Sequence, residues 1–203
     1  MSVKVKICGV CTAEDARAAA RAGADFLGLN FWPGSPRHVE VVRAREIADA
    51  VPGTPLVGVF VDAPRALIEQ VAAEVGLAAV QFHGDEDAAY CGRWPWRTIK
   101  ALRVRAGDDV ATLAAEYSTD YVLVDTRVEG MPGGTGVPLV GIDLDGVPAE
   151  RLFVAGGLRP ESVADTVRRV RPFGVDVASG VEERPGRKDH AKVEEFIRRA
   201  KAA

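Results

Sequence analysis

The stretch Lys4-Val5-Lys6-Ile7-Cys8-Gly9 alternates in a way that decides the architecture around it. Read as a strand, residues 3–7 send Lys4, Lys6 and Cys8 to one face and Val3, Val5 and Ile7 to the other. The apolar face is suited to a layer of helices. Lysines pointing into a closed apolar core are expensive to bury, so their presence beside a cysteine calls for a polar cavity that holds an anion. Lys6 stands two residues from Cys8, about 6–7 Å along a strand. At that range its charge is expected to lower the thiol from a free value of about 8.5 and make a usable base. The alternative for this segment alone is an edge strand with solvated lysines and a cysteine that merely packs.

Working outward, apolar β-type runs recur at 25–30, 56–61, 78–82, 97–102, 120–124, 151–155 and 173–178, each flanked by Gly, Pro, Asp or charged residues. Helix-period segments separate them, at Ala13–Ala22, Val41–Ala50, Pro64–Val75, Val110–Tyr117, Pro160–Arg171 and Asp189–Ala202. Strands about 20 to 30 residues apart, with no Pro/Ser/Gly linker between them, match the size of one βα unit. The series predicts an α/β protein in which residues 1–203 form a single-domain (β/α)8 TIM barrel, at the small end of that class. A doubly wound open sheet is the structural alternative.

Charge and cysteine usage narrow the function classes. Lys plus Arg total 26 against 29 Asp plus Glu, a formal charge of −3, so no global basic field recruits nucleic acid or a membrane, and an anion must be held locally. There is no apolar signal-peptide core at the N-terminus and no run near the roughly 18 apolar residues of a spanning helix, which predicts a cytoplasmic protein. Three cysteines, Cys8, Cys11 and Cys91, are too few and odd in number for a disulfide framework. Cys8-Gly9-Val10-Cys11 has redox or half-zinc spacing, but His38, His83 and Cys91 do not complete a ligand set, so no metal is expected.

In a barrel the chemistry belongs at the carboxyl ends of the strands. After the second strand comes Asn30-Phe31-Trp32-Pro33-Gly34-Ser35-Pro36-Arg37-His38, whose Arg37 can grip a carboxylate or phosphate with two nitrogens. The fourth ends in Gln81-Phe82-His83-Gly84-Asp85, which puts Gln81 and His83 on one face and makes Asp85 a candidate N-cap. His83 is read as support rather than as the base. The sixth delivers Asp125, a candidate general acid, followed by Arg127–Gly136, whose Gly130, Gly133, Gly134 and Gly136 predict a lid. Gly156-Gly157 after the seventh strand and Ser179-Gly180 after the eighth can present backbone N–H groups to a phosphate. A thiol base, a carboxylic acid, an arginine clamp and a phosphate cradle together fit an isomerisation of a small phosphorylated substrate.

Lys6-Ile7-Cys8-Gly9, Ser35-Pro36-Arg37, Val80–Asp85, Asp125-Thr126, Gly133–Gly136, Ala155–Leu158, Gly174–Glu182 and Gly186-Arg187-Lys188-Asp189 occur in an order that resembles the phosphoribosylanthranilate isomerase family of tryptophan biosynthesis. The resemblance covers nearly the whole chain. It implies a cofactor-free Amadori rearrangement of N-(5′-phosphoribosyl)anthranilate to 1-(2-carboxyphenylamino)-1-deoxyribulose 5-phosphate. Asp125 would be the acid and Cys8, as thiolate, the base. Arg37 would hold the anthranilate carboxylate, with Lys6, Gln81, His83, Gly134 and Gly136 among the substrate-binding residues, and the phosphate would lie on Gly156, Gly157, Ser179 and Gly180. The partner implied is a small phosphoribosyl compound, bound by a monomer or homodimer. Two departures from the family pattern stand at Cys11-Thr12 and at Val137-Pro138-Leu139-Val140-Gly141, the second where loop closure and substrate range would be decided. Alternatives are another sugar-phosphate barrel, a lyase or an epimerase, and a noncatalytic phosphate-binding or thiol-sensing protein.

Overall fold

A computed structural model describes residues 2–126 and 141–203. Its strands are β1 (Lys4–Cys8), β2 (Phe26–Asn30), β3 (Leu56–Phe60), β4 (Ala79–Phe82), β5 (Arg97–Val104), β6 (Tyr121–Thr126), β7 (Leu152–Ala155) and β8 (Gly174–Val177). They run parallel in chain order, and β8 returns to pair with β1, closing the barrel and excluding the open sheet. All eight predicted runs are therefore strands, each within a residue or two of its expected bounds.

Between them lie α1 (Ala13–Ala22), α2 (Val41–Ala50), α3 (Arg65–Val75), α4 (Ala88–Cys91), α5 (Val110–Ala115), α6 (Pro160–Val170) and α7 (His190–Lys201). Local chemistry sets their ends. Thr12 caps α1 by accepting from the Asp15 amide, and Gly23 terminates it in a left-handed conformation with φ 95°. Pro160 opens α6 at a position that needs no amide donor. Before β7 a short 3-10 turn, Ala149–Arg151, precedes the strand, and after β8 another, Ser179–Val181, leads into a small hairpin of β9 (Glu182–Arg184) and β10 (Arg187–Lys188).

Alternation sorts the side chains as β1 foretold. Val5 and Ile7 are fully buried in the outer layer with Ala16, Ala19 and Phe196 from the helices. The barrel lumen holds a second, smaller cluster of Val57, Ala79, Ile99, Ala101, Leu123, Phe153 and Ala155. Its floor is aromatic, with Phe153 edge-on to Phe26, Tyr121 and Phe173. The apolar plug leaves the polar strand ends to form the opposite mouth.

Two helix expectations need correction. Asp85 is not an N-cap: α4 begins two residues later, with Asp87 accepting from the Tyr90 amide at 2.7 Å. The cause is Glu86, which turns inward and accepts from the amides of Asp62 and Gly84 and from Lys100 Nζ at 2.8–2.9 Å. That buried knot holds the chain in a turn, and the exposed Asp85 pairs with Arg103 instead. The other correction is α5, which ends at Ala115 rather than Tyr117.

Candidate active site

The end of β1 is built by its two neighbours. The register sets Lys6 opposite Asp176 of β8 and Cys8 opposite Gly28 of β2. Lys6 is fully buried, and its Nζ donates to Asp176 Oδ1 at 2.8 Å. Lys4, by contrast, is half exposed and pairs with Asp25 at the strand's other end. A buried lysine is tolerated here because its charge is met by a carboxylate. That pairing, together with the Cys8 sulfur nearby, holds the Lys6 ammonium above its ordinary range despite its burial.

The expectation of a lowered Cys8 thiol is overturned. Burial is the largest influence and pushes it up; Lys6 and Lys188 pull it down, Asp176 pushes it further up, and the net direction is upward. Sequence showed the cation beside the thiol but not the carboxylate that shares it. Cys11, the other cysteine of the turn, directs its Sγ toward the carbonyls of Arg37 at 3.4 Å and Gly9 at 3.6 Å, so it fastens the loops after β1 and β2 together.

Arg37 is brought to the same mouth by the loop after β2, where Ser35 Oγ accepts from its amide. Its guanidinium is already gripped: Nε donates to Glu182 Oε1 at 2.8 Å and Nη2 to Oε2 at 2.6 Å, the bidentate geometry of an arginine–carboxylate fork. Glu182 also receives Lys188 Nζ at 2.9 Å, and the same ammonium donates to the carbonyls of Cys8 and Ala178. Burial pushes Glu182 up, but the bonds from Arg37 and Lys188 outweigh it and leave the carboxyl below its ordinary range. Arg37 is correspondingly raised, first by its bond to Glu182. Asp176, Glu182 and Lys188 were not singled out from sequence for roles at the site; their signal was the family-like order of 174–182 and 186–189.

Across the mouth, β6 stands three strands from β1 around the ring. Asp125 points one carboxylate oxygen, Oδ2, at His83 Nε2, 3.7 Å away, and both side chains are partly exposed. Behind His83, Gln81 Nε2 meets His83 Nδ1 at 2.9 Å, while the fully buried Gln81 Oε1 has no partner among the described residues. The shared face foreseen for Gln81 and His83 is thus a chain that ends on Asp125.

Gly156 and Gly157 follow β7 with φ of 84° and 67°, a left-handed pair of conformations that glycine adopts without strain. Ser179 and Gly180 occupy the 3-10 turn after β8. A Cβ on Gly180 would overlap the Leu158 carbonyl oxygen, so glycine is what lets the two turns approach each other. The candidate lid 127–136, including Gly134 and Gly136, and the divergent residues 137–140 lie outside the described residues. Among the described residues no helix is long and apolar enough to cross a membrane, and no group of three or more His, Cys, Asp or Glu is placed to hold a metal ion.

The chain matches a family model described as N-(5′phosphoribosyl)anthranilate (PRA) isomerase over residues 5–199. It is 49% identical over 201 residues to an N-(5′-phosphoribosyl)anthranilate isomerase of Pseudomonas fluorescens strain Pf0-1, covering 97% of each chain. Among solved structures, monomers of the dimeric phosphoribosylanthranilate isomerase from Thermotoga maritima superpose with a TM-score of 0.83 at 36% identity, over 99% of this chain and 100% of that one. A phosphoribosylanthranilate isomerase in complex with reduced 1-(o-carboxyphenylamino)-1-deoxyribulose 5-phosphate matches with the same TM-score, identity and coverage.

Proposed function

Because the chain belongs to the N-(5′-phosphoribosyl)anthranilate isomerase family of tryptophan biosynthesis, we propose that it rearranges N-(5′-phosphoribosyl)anthranilate without a cofactor, with Asp125 as general acid and Cys8 as general base. The observation that carries this reading is a thiol with a buried cation at the end of β1 and, at the end of β6, a carboxyl facing the imidazole that follows β4, all at the carboxyl ends of the strands.

Protonated Asp125 gives its proton to the furanose ring oxygen as the C1′–O bond breaks, and the anthranilate nitrogen's lone pair forms the C1′=N bond of a Schiff base. The Cys8 thiolate then takes the C2′ proton, and the freed electron pair makes the C1′=C2′ bond while neutralising the nitrogen. The resulting enolamine gains a proton at C1′ and loses one from its 2′-hydroxyl, giving the ketone. A thiol held above its ordinary range supplies little thiolate at neutral pH, yet each thiolate is a strong proton acceptor, and Lys6 supplies the cation it needs.

Arg37, oriented by Glu182, holds the anthranilate carboxylate; Gln81 and His83 support Asp125; Gly134 and Gly136 close over the substrate. The phosphate rests on the amides of Gly156, Gly157, Ser179 and Gly180. The enzyme works in the cytoplasm as a monomer or homodimer. The test is loss of anthranilate fluorescence when freshly made substrate is mixed with wild type, Cys8→Ser and Asp125→Asn. Both variants are expected to lose about 10²-fold or more in turnover. Full turnover in either variant removes that residue from the mechanism, and none in folded wild type directs the search to other phosphoribosyl substrates.

A further inference from the structure

We propose that Asp176 is a positioning residue for proton transfer at Cys8, acting through Lys6, whose ammonium it holds in the gap beside Gly28 and so keeps from pairing fully with the sulfur. The inference rests on the assignment of Cys8 as the base. Geometry carries it. Lys6 is fully buried with its Nζ 2.8 Å from Asp176 Oδ1, and Asp176 itself is nearly buried. A Cβ at Gly28 would stand 2.8 Å from Cys8 Sγ and 3.0 Å from Lys6 Nζ, so the missing methyl is the space that sulfur and ammonium share.

The charged groups that face the sulfur are Lys6 from β1, Asp176 from β8, Lys188 from β10 and Arg37 from the loop after β2. Of these four, Asp176 is the one carboxylate. It divides the Lys6 charge between itself and the sulfur, which leaves less thiolate at a given pH but makes that thiolate a better proton acceptor. An amide in its place surrenders the whole ammonium to the sulfur. Thiolate then forms more readily and abstracts carbon-bound protons less well.

The experiment compares wild type with Asp176→Asn. Alkylation of Cys8 by iodoacetamide is followed against pH, with tandem mass spectrometry separating Cys8 from Cys11, and kcat and KM are measured alongside. The midpoint of Cys8 alkylation is expected to fall by about one pH unit, and its rate at pH 7 to rise about threefold, as about tenfold more thiolate is offset by its lower nucleophilicity. On the high-pH plateau kcat should fall about threefold, with KM unchanged within about twofold. An unmoved midpoint overturns the proposal, whatever happens to kcat. Should Asp176→Asn not fold, Lys6→Met/Asp176→Leu removes both charges together; its midpoint is expected to rise, and a fall overturns the proposal. The base assignment fails separately, through turnover surviving in Cys8→Ser.

Discussion

Replacing Glu182 by Gln keeps the shape of the side chain and removes the charge that two cations share. Lys188 is wholly buried, and the Glu182 side chain is only 3% exposed, so water is a poor substitute for the lost carboxylate. The variant leaves Lys188 with the carbonyls of Cys8 and Ala178, and deprives Arg37 of its bidentate partner. Breaking a buried ion pair from one side costs about 3–5 kcal/mol. The Arg37 half is partly open to solvent, so the lower end, about 3 kcal/mol, is the appropriate figure. For a protein of this size each kcal/mol moves the thermal midpoint by about 2–4 °C, so Glu182→Gln should melt about 6–12 °C below wild type. The difference must also depend on pH with a definite sign. Glu182 is depressed in the folded protein, so its contribution is complete above the unfolded glutamate value of about 4.3. It disappears as the pH falls through the depressed folded value. Thermal melts by circular dichroism between neutral pH and acid, on both proteins, test this. A midpoint within about 2 °C of wild type at neutral pH would refute the reasoning, as would a gap that widens in acid.

Arg37→Lys keeps a positive charge but gives up the planar fork, so KM for the anthranilate substrate should rise about tenfold with kcat changed much less; steady-state kinetics check it, and an unchanged KM excludes Arg37 from carboxylate binding. Burial pushes the Cys91 thiol up to about 11. At pH 8 about a thousandth of it is thiolate, and mass spectrometry should find Cys91 unmodified by iodoacetamide in folded protein and modified once urea is added.

How much of this was legible in the chain depends on the distance between partners. The strands were, because period-two alternation and Gly, Pro and Asp punctuation are local, and Lys6 and Cys8 betrayed a polar mouth by lying on one face of β1. Helix α4 was not, since Ala88–Cys91 is too short to show a period, and the caps after β4 were misplaced because Glu86 answers to Lys100 on the next strand. The hairpin Glu182–Arg184/Arg187–Lys188 reads locally as a charged surface run. The thiol's direction was misjudged for the same reason. Asp176 meets Lys6 across 170 residues, Glu182 meets Arg37 across 145, and Lys188 reaches the Cys8 carbonyl across 180. No window along the chain contains both members of such a pair.

The seam that Lys188 makes between the ends of β1 and β8 also orders events in time. A ribosome releases Cys8 at a point 180 residues before Lys188. Until β8 emerges Lys6 lacks Asp176, and until β10 emerges the end of β1 lacks the Lys188 ammonium. A nascent chain can fold its early βα units, but such long-range closure is the slow kind. The Cys8 sulfur therefore acquires its full electrostatic setting only when a segment 180 residues further along the chain has been translated.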